Sequence, residues 1–146
     1  MFVENIPKAV HAKLVTIGDD SALMEAAKLL TAGTDLVVVC DSDGIACGVV
    51  TKTDIVKQMS VCTGAACHCP VSTVMTRAIV VCREQDLLQD VSERMKARRL
   101  KNIPLVDGRN RPLAVLTART VLSVLLGDLE LEEAQLVDYV KGVGYR

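Results

Sequence analysis

The chain has 146 residues, with 17 Lys and Arg against 18 Asp and Glu, six Cys and no Trp. That length suits one compact unit, and 50% apolar with 24% charged residues excludes a disordered chain. A net charge of −1 argues against an overall grip on nucleic acid or an anionic membrane, and no apolar run nears the ~18 residues of a membrane span. The first ten residues lack a charged, then apolar, leader, so a cytoplasmic location is expected, where six Cys default to reduced thiols or metal ligands.

In chain order, Asp20 and Ser21 stand before Leu23, Ala26 and Leu30, an apolar stripe at helical spacing. Residues 36–40 and 48–50 read as strands joined by Asp41-Ser42-Asp43-Gly44, a hairpin turn, and 53–60 as a closing helix. A small, polar, Cys-rich linker follows at 62–70. Residues 80–82 form a β-branched run that predicts a strand, and Asp86 is the expected N-cap for the stripe Leu88, Val91 and Met95. Strands at 102–106 and 114–116 flank the turn at 107–112, and residues 118–126 predict a helix. Residues 129–141 read as an acidic amphipathic helix, with Leu131, Leu136 and Tyr139 or Val140 available for packing, before a glycine-rich, flexible end.

The chain repeats itself. Gly48-Val49-Val50-Thr51-Lys52-Thr53-Asp54-Ile55 recurs as Ala114-Val115-Leu116-Thr117-Ala118-Arg119-Thr120-Val121, and Leu36–Cys40-Asp41 as Asn102–Val106-Asp107, both at a spacing of 66. The helical stripes recur at 65, so one residue separates the copies between helix and strand. Each copy therefore reads as strand, helix, strand, strand, helix. Helices on one side bury only one face of so few strands, so the two copies should pack together.

These residues carry a family resemblance. Gly48–Ile55 fits the pattern G-h-h-[T/S]-x-x-D-h of the cystathionine-β-synthase (CBS) domain at every position. The approach Ile103-Pro104-Leu105-Val106-Asp107 and the lead-in Val71-x-x-Val74-Met75-Thr76 also match it. The tandem resembles a CBS pair, or Bateman module, across residues 8–126. The resemblance implies an α/β (α+β) fold of two β-α-β-β-α repeats, 8–61 and 71–126, related by a pseudo-twofold axis, with 127–146 as a C-terminal helix and tail. It implies a non-catalytic regulatory module with no cofactor. Such a module binds an adenosine-containing ligand (AMP, ADP, ATP, NAD or S-adenosylmethionine) between the repeats and usually pairs as a homodimer; with no effector domain fused in this sequence, control in trans through an unknown effector protein is the expectation.

By that resemblance Asp54 would accept the ribose hydroxyls, and Thr51 and Thr53 would serve ribose or phosphate. The base would lie between Ala78, Ile79, Val80, Lys101, Asn102 and Ile103. The helix start near Thr53 would turn free N–H groups toward phosphate. Thr51-x-x-Asp54 is equally a helix-capping pair that needs no ligand, and Ile79, Val80 and Ile103 are equally core residues. A second, weaker site maps to Lys13, Leu14, Val15, Thr34, Asp35, Leu36, Thr117, Arg119 and Thr120, where Thr120 replaces the ribose carboxylate. One nucleotide per chain is the expectation.

Cys62, Cys67, His68 and Cys69 could hold a metal or act as redox thiols, which gives the alternative of a thiol- or metal-responsive module; their crowded spacing argues against it. Cys40, Cys47 and Cys82 read as small core residues. Arg94, Lys96, Arg98, Arg99 and Lys101 suit a helix C-terminus or could steer phosphate. No nucleophile–base set or Walker-type loop is present, so an enzyme is not expected.

Overall fold

The structure is a computed structural model that describes residues 1–31, 33–61 and 68–127. The first repeat comprises β1 (Thr16–Gly18), α1 (Leu23–Thr31), β2 (Leu36–Cys40), β3 (Ala46–Thr51) and α2 (Lys52–Val61). Its sheet runs β1-β2-β3, with β1 parallel and β3 antiparallel to β2. The second repeat comprises α3 (Leu88–Arg98), β4 (Asn102–Val106), β5 (Pro112–Thr117) and α4 (Ala118–Leu125), with β4 antiparallel to β5. The duplication extends to register: Leu36 faces Thr51 as Asn102 faces Thr117, and both ladders slip just before the turn.

The hairpin turns repeat atom for atom. Asp41 Oδ1 accepts the N–H groups of Asp43 and Ile45 at 2.9 and 3.0 Å, and Asp107 Oδ1 those of Arg109 and Arg111 at 2.8 and 2.9 Å. Gly44 takes φ +80° in the first turn, and Asn110, among the residues most tolerant of the left-handed region, takes φ +63° in the second.

The strand expected at residues 80–82 is reduced to a single parallel bridge between Cys82 and Leu105. In the first repeat the Val38 N–H donates to the Val15 carbonyl at 3.0 Å and opens the ladder between β1 and β2. Pro104 stands at the position equivalent to Val38 and has no N–H, so that rung is missing. The N-cap expected at Asp86 is also displaced. Leu87 is the N-cap of α3 and makes no side-chain cap bond, while Asp86 Oδ2 accepts the Arg83 N–H at 2.9 Å and pairs with Arg94 at 3.3 Å.

Alternation along β2 divides the core. Val37 and Val39 join Leu23, Ala26 and Leu30 of α1, whereas Leu36 and Val38 meet Val115 of β5 between the repeats. Both faces of β2 are thus covered, which explains its unbroken apolar run. Leu88, Val91 and Met95 of α3 pack on Ile103, Leu105 and Leu116 in the same manner. Burial of each such large side chain contributes about 1.5–3 kcal/mol.

Each core is completed from outside its own repeat. Val3 and Ile6, at the start of the chain, lie in the second-repeat core, and Val71 and Met75, ahead of the second repeat, lie in the first-repeat core. Main-chain bonds fix the exchange: Val3 N–H to Asp86 O at 3.0 Å, and Val71 N–H to Ser21 O at 2.8 Å. The lead-ins continue onto the partner sheets, where Thr76 bridges Val49 of β3 and Ala12 bridges Val115 of β5. Gly48 permits one of these approaches, since a Cβ there would stand 2.5 Å from Met75 Sδ and 3.0 Å from the Thr76 carbonyl.

The closing helices differ. Val121 and Val124 of α4 are buried, but no residue of α2 is, and Val56, Met59 and Val61 are exposed. Met59 of α2 is exposed, whereas Val121 of α4 lies inside its own core. Ile55 and Leu125 are half-buried against theirs, because helical phase turns them inward.

Candidate functional site

The exchanged lead-ins place residues 12–16 beside the ends of β2 and β5, and a cavity of about 500 Å³ opens there. It collects seven of the residues of the weaker set: Lys13, Leu14, Val15, Thr34, Asp35, Leu36 and Thr117. Ala12, Thr16, Leu29, Gly33, Asn102 and Val115 complete the wall, so both repeats contribute. Leu14, Val15, Leu29, Leu36 and Val115 make an apolar surface, while Lys13, Thr16, Thr34, Asp35, Asn102 and Thr117 bring polar groups to it. That mixture and size suit a ligand with a flat apolar body and a polar tail.

Asp35 pairs with Lys52 at 3.8 Å, and both side chains are exposed, so the pair contributes at most about 1 kcal/mol. Thr117 is the N-cap of α4: its Oγ1 accepts the Thr120 N–H at 3.1 Å, and the two hydroxyls lie 3.1 Å apart. Arg119 and Thr120 follow on α4, outside the cavity lining.

Around Asp54 the carboxylate is already hydrogen-bonded. Its Oδ2 accepts the Thr51 N–H at 2.9 Å and the Thr51 hydroxyl at 3.2 Å, and its Oδ1 accepts the Thr76 hydroxyl at 3.2 Å. The Asp54 N–H in turn reaches Thr51 Oγ1 at 3.4 Å, so the pair is a capping box on α2. Thr53, Ala78 and Lys101 are exposed, and Ile79 and Val80 are half-buried. Ile103 is wholly buried in the second-repeat core. Asn102, grouped with Asp54 in the sequence, lines the cavity of the other set.

Sequence reasoning missed Ala12, Thr16, Leu29, Gly33 and Val115 in the wall. Ala12, Thr16 and Gly33 each adjoin a residue it named, and Ala12 is held in the wall by its N–H bond to the Val115 carbonyl at 2.9 Å; Leu29, on α1, adjoins none of them. It also missed a second cavity of about 510 Å³, lined by Lys8, His11 and Glu84 among apolar neighbours. There the buried Nε2 of His11 has no hydrogen-bond partner among the described residues, and burial, then the Lys8 charge, holds its pKa below the ordinary value.

In the basic run, Arg94 is tied inward, donating to the Val81 carbonyl at 2.7 Å as well as pairing with Asp86. Lys96, Arg98, Arg99 and Lys101 remain exposed. Cys82 is buried, and burial pushes its thiol up to about 12. Cys40 and Cys47 are half-buried, with pKa values raised chiefly by burial. Cys62, Cys67 and the acidic segment 129–141 lie outside the described residues; His68 is exposed, and the Cys69 carbonyl accepts the Leu23 N–H at 2.9 Å.

Two like repeats that complete each other's cores and share a cavity define a paired-repeat module. The chain belongs to the CBS domain family, whose model matches residues 3–61 and 71–127. It is similar to a CBS-domain-containing protein from Agrobacterium tumefaciens, with 28% identity, a TM-score of 0.72, and coverage of 85% of this chain and 98% of that one. A CBS domain pair solved in complex with 5′-methylthioadenosine and S-adenosyl-L-methionine shares the fold, at 22% identity and a TM-score of 0.70, over 87% of this chain and 97% of that one. The inosine-5′-monophosphate dehydrogenase of Methanocaldococcus jannaschii is 27% identical over 121 residues, 82% of this chain but 23% of that enzyme. The chain thus spans about a quarter of that relative's length. No helix among the described residues is long and apolar enough to cross a membrane.

Proposed function

We propose that the chain is a non-catalytic regulatory sensor that binds an adenosine-containing ligand between its repeats and signals in trans to an effector protein from the cytoplasm. AMP, ADP, ATP, NAD and S-adenosylmethionine are the candidate ligands. The observation that carries this reading is the cavity of about 500 Å³ walled by both repeats, because a ligand there touches both and can bias their relative placement. Its aliphatic walls suit an adenine ring, and Lys13, Thr34, Asp35 and Thr117 can meet ribose and phosphate. The adenosyl compounds bound by the similar CBS pair support the same ligand class. Asp54, with Thr51 and Thr53, remains the proposed ribose site of the other half. Pairing into a homodimer is proposed through the exposed Val56, Met59 and Val61 of α2.

Thermal-shift measurements with AMP, ATP, NAD and S-adenosylmethionine test the ligand class. A ligand at 100 times its Kd raises stability by about 2.7 kcal/mol. Thr34→Trp, which fills the cavity, should abolish the shift, whereas Asp54→Asn should abolish it only if the ligand sits on the Asp54 side. No shift with any of the four ligands would overturn the proposal.

A further inference from the structure

The cavity of about 510 Å³ beside the second repeat follows from one difference between the copies. Ala12 bridges Val115 as Thr76 bridges Val49, so His11 and Met75 hold equivalent places in the two lead-ins, and Ala114 and Gly48 equivalent places beneath them. In the first repeat Met75 is buried, seated over Gly48 in space that a Cβ would need. Ala114 carries that Cβ, so the second lead-in cannot seat as deeply, and His11 is only half-buried. The main chain reflects the difference. Val49 and Thr76 exchange two bonds, at 3.0 and 2.8 Å, whereas between Ala12 and Val115 only the Ala12 N–H donates, at 2.9 Å.

The space left over has an apolar floor of Leu14, Leu105, Leu113 and Ala114, and Lys8, His11 and Glu84 at its edge. Lys8 and Glu84 are exposed and opposite in charge, yet neither takes part in an ion pair among the described residues. Both charges act on His11, in opposite senses, so the three groups stand around one opening. The buried Nε2 of His11 lacks a partner there, and with its pKa held down the ring is neutral near pH 7 and can accept a hydrogen bond.

Two separated opposite charges over an apolar floor are complementary to a small molecule that carries both charges and an apolar group. A free α-amino acid has all three. A residue inside a peptide lacks both charges, and the phosphates of a nucleotide would be repelled by Glu84. We propose that this cavity binds a free α-amino acid with an apolar side chain, its carboxylate on Lys8, its ammonium against Glu84 and the His11 ring, and its side chain over Leu105 and Leu113. Leu113, 45% exposed, is the part of the floor that such a ligand would cover. Ala12 and Leu14 also wall the shared cavity, so this ligand and one bound between the repeats hold the same stretch of chain, whatever the second ligand is.

NMR of the full chain at fixed pH tests the assignment. The chain has two histidines, and His68, which does not line this cavity, serves as the internal control. L-Leucine, L-methionine and L-phenylalanine, each added to about 10 mM, cover Kd values up to about millimolar. At least one should move the His11 ring signals saturably and leave those of His68 in place. For that amino acid, Lys8→Ala and Glu84→Ala, both at exposed positions, should each raise Kd about fivefold, the effect of losing one exposed ion pair. Its amide, which lacks the carboxylate charge, should bind the parent and Lys8→Ala alike. No saturable movement at His11 with any of the three, an unchanged Kd in either variant, or an amide that still senses Lys8 would each refute the site.

Discussion

Thr51 and Asp54 cap α2 reciprocally, the Asp54 carboxylate accepting the Thr51 N–H at 2.9 Å while the Asp54 N–H reaches the Thr51 hydroxyl at 3.4 Å. The second repeat keeps half of this device: Thr117 accepts the Thr120 N–H at 3.1 Å, but no carboxylate returns the bond. A carboxylate has about four acceptor positions, and the Thr51 N–H and the Thr51 and Thr76 hydroxyls take three of them, so Asp54 can accept both ribose hydroxyls only if a threonine hydroxyl turns away.

Substitution separates the two roles. Asp54→Ala should cost about 1 kcal/mol of stability by loss of the cap. If Asp54 also holds ribose, calorimetry should show nucleotide affinity falling about 10- to 150-fold. Affinity unchanged in Asp54→Ala would leave the residue a cap alone.

Gly48→Ala should destabilise the protein by about 1–3 kcal/mol, since the new methyl meets Met75 Sδ and Cγ at 2.5 and 2.8 Å. Met75→Ala on that background should cost less than the sum of the single changes, because it removes the flexible half of the clash. Denaturant melts of the four proteins measure the coupling; strict additivity would show that the lead-in yields without cost.

Pro104→Val supplies the N–H that the second sheet lacks. The new residue 104 amide should be protected in hydrogen exchange, as Val38 is expected to be in the first repeat through its bond to the Val15 carbonyl. Rapid exchange at 104 would mean that residues 80–82 are held out of the sheet for another reason.

Cys82 predicts an alkaline limb in stability. Burial raises its pKa from 9.0 to about 12, so the unfolded chain loses the thiol proton first as pH rises. The stabilising effect is complete below pH 9 and is lost progressively toward pH 12. Denaturant melts from pH 8 to 11 should show this slope in the parent and a shallower one in Cys82→Ala. At the acid end Asp107 has the opposite sign: hydrogen bonds from the Arg111 and Arg109 N–H groups lower its pKa, so its contribution fades as pH falls through the carboxylate range.

What the sequence disclosed follows from the range of each interaction. The duplication, the hairpin turns and the helix stripes rest on local patterns and stand at the expected residues. The lost strand at 80–82 turned on one absent N–H in Pro104, whose partner lies about 24 residues away in sequence. The misplaced cap at Asp86 turned on Arg83 and Arg94 drawing the carboxylate elsewhere. In the site, side-chain identity drew attention to Asp54, whereas the location of the open space depended on how residues 12–16 cross to β5, which no local pattern encodes.

The exchange of Val3 and Ile6 for Val71 and Met75 bears on how such a protein can be divided. A gene cut at the linker would yield two fragments, each carrying a plug for the other and a hole of its own. Either half alone would lack part of its core, and expressed together the halves should reassemble across the cut. Any motion that loosens one lead-in therefore opens the opposite repeat, so a disturbance entering at one end of the molecule is delivered to the other by the chain itself.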